Sequence, residues 1–179
     1  MPAKKKLPPH LPASSFEICL GRLWVHRPQG MRYAEIPLAY QLPNDDIHGE
    51  LYFKIQGKQI PGMGYKAYDL AARDGACLIE WLMYLSDILS ALAEDENAAY
   101  HFREYDLGGF SCEFVRDGDQ VLFSIDGVYG PEQCWELTSF AWEDLLEAYS
   151  EFKAEFLAQV SHFQPSARPS WQSRFLPGF

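Results

Sequence analysis

His101, Asp106 and Cys112 stand in one short stretch of the chain, with Ser111 beside the cysteine and Gly108-Gly109 just before it. A thiol nucleophile needs a base within hydrogen-bond reach and a polar, partly exposed setting that lowers its pKa. This trio supplies the side-chain types for such a hydrolase. Glu104 and Asp106 add a second option, since paired carboxylates can share acid and base roles in hydrolytic or glycosidic work. Two features argue against both. Cys112 alternates with Phe110 and Phe114, which turns it to an apolar strand face. Carboxylates beside a Gly-Gly pair fit a solvated turn. The expectation is a chain without a catalytic centre, with the His101/Asp106/Cys112 hydrolase as the alternative.

Other chemistries find less support. There is no G-x-x-x-x-G-K-[ST] and no G-x-G-x-x-G after a strand, so Gly57, Gly62 and Gly64 read as loop punctuation. His10, His26, His48, His101 and His162 lack the H-x-x-x-H or E-x-x-H spacing of a metal site. Asp117, Asp119 and Asp126 do not form a calcium loop, because Val121, Leu122 and Phe123 fall where ligands would be needed. Cys19, Cys77, Cys112 and Cys134 contain no C-x-x-C pair and read as buried thiols. No metal and no cofactor is expected.

The elements that carry these residues follow from periodicity. Phe16 to Val25 reads as a first strand with a bulge at Gly21, and Tyr33 to Leu42, interrupted by Pro37, as an edge strand. Leu51, Phe53 and Ile55 alternate with polar neighbours, and Gly57-Lys58 turns the chain back, so 47–61 reads as a hairpin. From Tyr68 to Ala93 apolar residues recur at steps of three and four: Leu78, Ile79, Leu82, Leu85, Ile88, Leu89 and Leu92. That spacing predicts a helix over 69–93, capped at Asp69 or starting near Asp74, and ending at Glu94-Asp95-Glu96-Asn97. Two runs, 110–115 and 120–125, flank Arg116-Asp117-Gly118-Asp119 as a second hairpin. Leu145, Tyr149, Phe152, Phe156, Val160 and Phe163 form the inner stripe of a second helix over 140–163, with Thr138 or Ser139 as its cap. The prediction is an α+β fold: an antiparallel sheet of about five to seven strands packed against two long amphipathic helices on one shared face. Residues 1–15 read as a disordered leader, 16–163 as a single domain, and 164–179 as an irregular tail. Its prolines oppose a regular helix, and its Trp171, Phe175, Leu176 and Phe179 suit a path across the body.

Charge separates the partners. The 179-residue chain has 25 acidic and 15 basic residues, and hydrophobic residues make up 47% of it, ample for a core. From 44 to 163 there are 23 acidic residues against 7 basic, a net of −16. Such a body repels nucleic acid and attracts a basic protein. No apolar run approaches the roughly 20 residues of a membrane helix, and Pro8-Pro9 follow the basic start where a signal peptide would be apolar. A cytoplasmic protein with no membrane or nucleic-acid partner is expected.

The run Phe102 to Gly109, then Phe110 to Phe114, Arg116-Asp117-Gly118-Asp119 and Val121 to Ile125, resembles bacterial immunity proteins of polymorphic or contact-dependent toxin systems. The resemblance spans about residues 16–163 in layout. It implies a module that binds and neutralises a cognate toxin, a basic nuclease-type domain fitting the acidic body, and it transfers no functional residues. An oligomeric structural or adaptor protein is a further alternative.

Within that reading, the partner surface is expected on the outer face of the second helix and the loop before it: Tyr129, Glu132, Trp135, Glu143, Asp144, Glu147 and Glu151. Glu143, Glu147 and Glu151 follow at four-residue steps and line one ridge. Trp24, Trp81, Trp135 and Trp142 are read as core or sheet-to-helix contacts, and Trp135, in the loop after Pro131, is the first candidate among them for an exposed anchor. Asp45, Asp46 and Glu50 form a second acidic surface.

Overall fold

Ile47–Ile55 shows how the first half folds: every odd residue is buried and every even one is half-exposed, as a strand with one covered face requires. The computed structural model describes residues 16–26, 33–35, 47–65, 76–103, 111–126 and 135–179. Their order is β1 (Phe16–His26), β2 (Tyr33–Glu35), β3 (Ile47–Ile55), β4 (Lys58–Tyr65), β5 (Ala76–Cys77), α1 (Leu78–Glu94), β6 (Ala99–Arg103), β7 (Ser111–Asp117), β8 (Gln120–Asp126), β9 (Trp135–Ala141) and α2 (Trp142–Phe163). A 3-10 turn at Pro165–Ala167 and a short α3 at Arg168–Gln172 follow.

The fold is α+β and antiparallel, but the strands form two sheets rather than one. The first has the order β2-β1-β3-β4, with β5 pairing the same edge of β3 at its other end; the second is the meander β6-β7-β8-β9. The split falls at α1, which separates the strands of the first sheet from those of the second along the chain. The helices meet different strands: α1 touches β3 and β5 of one sheet and β6 and β7 of the other, while α2 lies against β1 and continues directly from β9. Ring contacts make the two sheets one core. Phe16 of β1 stacks on Phe140 of β9 at 4.7 Å, and Trp81 of α1 lies between Phe53 at 4.7 Å and Phe102 at 5.6 Å.

Both helices start where their stripes can be buried rather than where a side chain caps them. The N-terminal flanking residues, Cys77 and Ala141, make no side-chain cap bond. A cap contributes about 1 kcal/mol, whereas each fully buried Leu or Phe contributes about 1.5–3 kcal/mol. Leu78, Leu82, Leu85, Leu89 and Leu92 are all at most 3% exposed, so α1 is held by its stripe. Asp69 and Asp74, its expected starts, lie outside the described residues, but Ala76–Cys77 pair β3 as β5, so the helix begins at Leu78 and not earlier. Thr138 and Ser139, expected to cap the second helix, belong instead to β9, whose ladder with β8 takes up their backbone. The first amide of α2, Trp142 N–H, donates to the Asp119 carbonyl of the β7–β8 turn at 2.9 Å.

One bulge and two turns refine the expectations. The bulge in β1 falls between Leu20 and Leu23, as Gly21 suggests. Its cause is contact: a Cβ on Gly21 would sit 2.6 Å from Glu50 Oε2, and that carboxylate accepts from Arg22 N–H at 3.3 Å and from Arg22 Nη2 at 3.2 Å. In the β3–β4 hairpin the loop residues are Gln56-Gly57, not Gly57-Lys58, and both have positive φ (53° and 70°), the pattern of a type I′ turn. In the β7–β8 hairpin Asp117 pairs Gln120, so of the expected turn residues Arg116 to Asp119 only Gly118-Asp119 fill the loop. Gly118 has φ 61°, as a type II′ turn requires of its first central residue.

The tail also departs from expectation. Residues 165–172 are helical, because Pro169 falls in the first turn of α3, where a missing N–H removes no helical bond. Trp171 and Ala167 are buried and join the main core. Residues 1–15 lie outside the described residues, as does the end of the expected 33–42 strand, of which β2 keeps Tyr33–Glu35 at the sheet edge.

Candidate functional site

The amphipathic pattern of α2 resolves into two sides. Leu145, Tyr149, Phe152, Phe156 and Val160 are each at most 1% exposed, while Glu143, Glu147, Glu151 and Glu155 are exposed. At a rise of 1.5 Å per residue the four carboxylates follow one another about every 6 Å along the helix. Like charges at that spacing oppose the helix by about 0.2–0.5 kcal/mol per pair. Glu143 and the half-buried Asp144 stand in the first turn, where the positive end of the helix dipole offsets part of that cost.

The helix has one lysine, Lys153, and it is turned away from the ridge. Its ammonium lies 6.0 Å from the Tyr149 ring centre and donates to the Phe179 carbonyl oxygen. At the far end of the ridge Gln159 Nε2 donates to Glu155 Oε1 at 2.9 Å and to the Gly21 carbonyl of β1 at 3.0 Å. Glu155 thus extends the ridge expected from Glu143, Glu147 and Glu151 by one step. Its four-residue spacing was visible in the sequence; the direction taken by Lys153 was not.

Tyr129 and Glu132 lie outside the described residues. Trp135 opens β9 opposite Ile125 rather than standing in a loop. Glu50 does not form a second acidic surface, because its carboxylate, 14% exposed, is turned onto Arg22 and the β1 bulge. Asp45 and Asp46 lie outside the described residues.

The structure separates the alternative catalytic set. Along the β6–β7 ladder His101 pairs Glu113, and Phe102 pairs Cys112, so His101 and Cys112 point to opposite faces of the second sheet. The His101 side chain is 75% exposed, with Nε2 3.3 Å from Glu113 Oε1. Cys112 is 3% exposed, and burial pushes its thiol up to about 12, the reverse of what a nucleophile needs. His101 therefore cannot serve as base to that thiol. Asp106 and Glu104 lie outside the described residues. Of the other cysteines, Cys19 and Cys77 are half-buried rather than core thiols; Cys19 Sγ lies 3.9 Å from Glu17 Oε2, which is also 3.7 Å from Lys54 Nζ. Among the described residues there is no cluster of three or more His, Cys, Asp or Glu side chains arranged to hold a metal ion. No helix among them is long and apolar enough to cross a membrane.

No protein-family model matches the chain, and neither curated proteins nor solved structures give a match.

Proposed function

We propose that this chain is an acidic protein-binding module of the immunity type, which neutralises a basic toxin domain by engaging it along the outer face of α2. The observation that carries the reading is the ridge of Glu143, Glu147, Glu151 and Glu155, exposed on a helix whose one lysine is turned away from it. A row of like charges is unfavourable for an isolated helix, and it becomes favourable when a cationic surface approaches. Aligned carboxylates then raise the encounter rate and orient the partner, and cost little to bring together because they remain in water until contact. The buried stripe behind the ridge holds it on a rigid element, as binding sites need.

Immobilised wild-type chain and the Glu143→Lys/Glu147→Lys/Glu151→Lys variant, exposed in low salt to lysate of the native cell, test the reading. All three positions are exposed, so the variant is expected to keep the wild-type circular dichroism and melting temperature within a few degrees. The expected result is a basic protein retained by the wild type and at least ten-fold depleted on the variant, with the difference shrinking as salt rises. A partner retained equally by both at every salt concentration places the interface elsewhere.

A further inference from the structure

After α2 the backbone leaves the helical path at Gln164 (φ −147°, ψ 87°) and turns back along the flank of the helix. The returning segment is a strap held by α2. The Trp171 ring stands edge-on to Phe156 at 5.0 Å, and Phe175 lies 5.7 Å from Phe156 and 6.1 Å from both Tyr149 and Phe152. Tyr149 Oη accepts from Leu176 N–H at 3.0 Å, and Arg168 Nη1 donates to Ser161 Oγ at 3.4 Å. Each of these partners belongs to α2, as does Lys153, which bonds Phe179.

Two open clefts border the seat. One of about 400 Å³ is lined by Lys153 and Leu157 of α2 and by the strap between Gln172 and Gly178. A second, about 410 Å³, lies on the other side between Arg174 and the Ile79, Leu82, Met83 and Asp87 side chains of α1. Trp171 Nε1 is buried with no acceptor among the described residues. A segment that is flanked by open space and leaves a polar group unsatisfied opens at lower cost than the core it rests on. Its chemistry is also distinctive. Residues 164–179 contain Arg168 and Arg174 and no acid, on a chain of net charge −10.

We propose that the strap is a displaceable occupant of the Tyr149–Phe152–Phe156 flank, and that this flank receives a basic partner segment with two large apolar side chains four residues apart, as Trp171 and Phe175 are. The proposal rests on α2 being the binding helix and adds what the partner presents there: cations for the ridge and an aromatic pair for the flank beside it. The chain's own strap then competes with the partner and sets a threshold for binding.

A fluorescein-labelled peptide of residues 165–179 is the probe, titrated by anisotropy into the full-length wild type and into a Trp171→Ala/Phe175→Ala variant whose own strap is weakened. Saturable binding at least ten-fold tighter to the variant is expected, together with no binding of a peptide carrying the same two alanines. Absence of binding to a folded variant overturns the proposal, and so does a concentration-dependent dimer of the wild type alone, which would assign the flank to a second copy. Should the variant fail to fold, hydrogen exchange of the wild type decides. The Leu176 amide is expected to exchange at least ten-fold faster than the central amides of α2, with a weaker denaturant dependence. Equal rates and equal dependence would show the strap to be inseparable from the core. The lysate experiment varies only the ridge and the peptide experiment only the strap, so a failure of the strap and a failure of the ridge are told apart.

Discussion

Two tryptophans of this chain each carry an arginine stacked 4.5 Å above the ring: Arg116 over Trp142, and Arg174 over Trp171. The corners they make differ. Arg116 is half-buried and joins three elements, since Nη1 donates to the Leu92 carbonyl at the end of α1 at 2.9 Å and Nε to the Gly118 carbonyl of the hairpin turn at 3.0 Å. The last turn of α1 has no basic residue of its own, and β7 supplies the cation from elsewhere in the chain. Backbone bonds close the same corner: Gly118 N–H donates to Glu96 at 2.9 Å and Arg116 N–H to Ala98 at 2.8 Å. Arg174 is exposed, at the rim of a cleft that it lines together with Ile79, Leu82, Met83 and Asp87 of α1. A stacked cation contributes about 0.5–1 kcal/mol at an exposed site and about 2 kcal/mol when water is excluded. The same pairing therefore sits in a half-buried corner in one case and on an exposed rim in the other.

The largest expected effect tests that contrast directly. Phe123 and Trp171 are both fully buried, yet Phe123→Ala is expected to cost about 3–5 kcal/mol and Trp171→Ala clearly less, because loss of the ring cannot cost more than undocking the strap. Urea unfolding of both variants measures the difference; equal losses would place the strap in the cooperative core.

Next in size is the brace itself. Arg116→Ala is expected to cost about 2–3 kcal/mol, since it removes two charge-assisted bonds and leaves a half-buried helix end without them. Arg116→Lys recovers less than half of that, because an ammonium cannot bond two carbonyls and cover a ring in one geometry. Melting temperatures of the two variants check the order, and a full rescue by lysine would mean that charge alone matters there.

The last effect is absent at neutral pH and concerns the thiol behind the same sheet. Cys112 ionises near 12 when buried and near 9.0 when exposed. Below about pH 9 both states hold the proton and stability is complete. Between about 9 and 12 only the unfolded state releases it, so stability falls by about 1.4 kcal/mol per pH unit. Comparison of wild type with Cys112→Ala in urea from pH 8 to 11 isolates this slope from the other groups that titrate there. Identical slopes would show the thiol to be accessible.

What was legible in the sequence was what repeats over short distances. The stripe from Leu78 to Leu92 and the one from Leu145 to Val160 marked both helices, the alternation through Phe53 marked β3, and Gly21 marked the bulge. The ridge of Glu143, Glu147 and Glu151 is the complement of a buried stripe, so it followed from the same periodicity. Element ends were less legible. Thr138 and Ser139 suit a helix cap by type, but the ladder with β8 extends the strand through them to Ala141.

By itself, then, the sequence determined which residues face inward on each element and where the acidic charge is concentrated, because a side chain's direction depends on the local period of the backbone. Only the tertiary structure decided that the strands divide into two sheets around one core, that Arg116 closes the end of a helix distant in the chain, and that Lys153 leaves the ridge for the strap. Those outcomes depend on which groups meet across long loops. The pairing that buries most apolar surface and leaves fewest polar groups unsatisfied prevails there, and no local pattern encodes it.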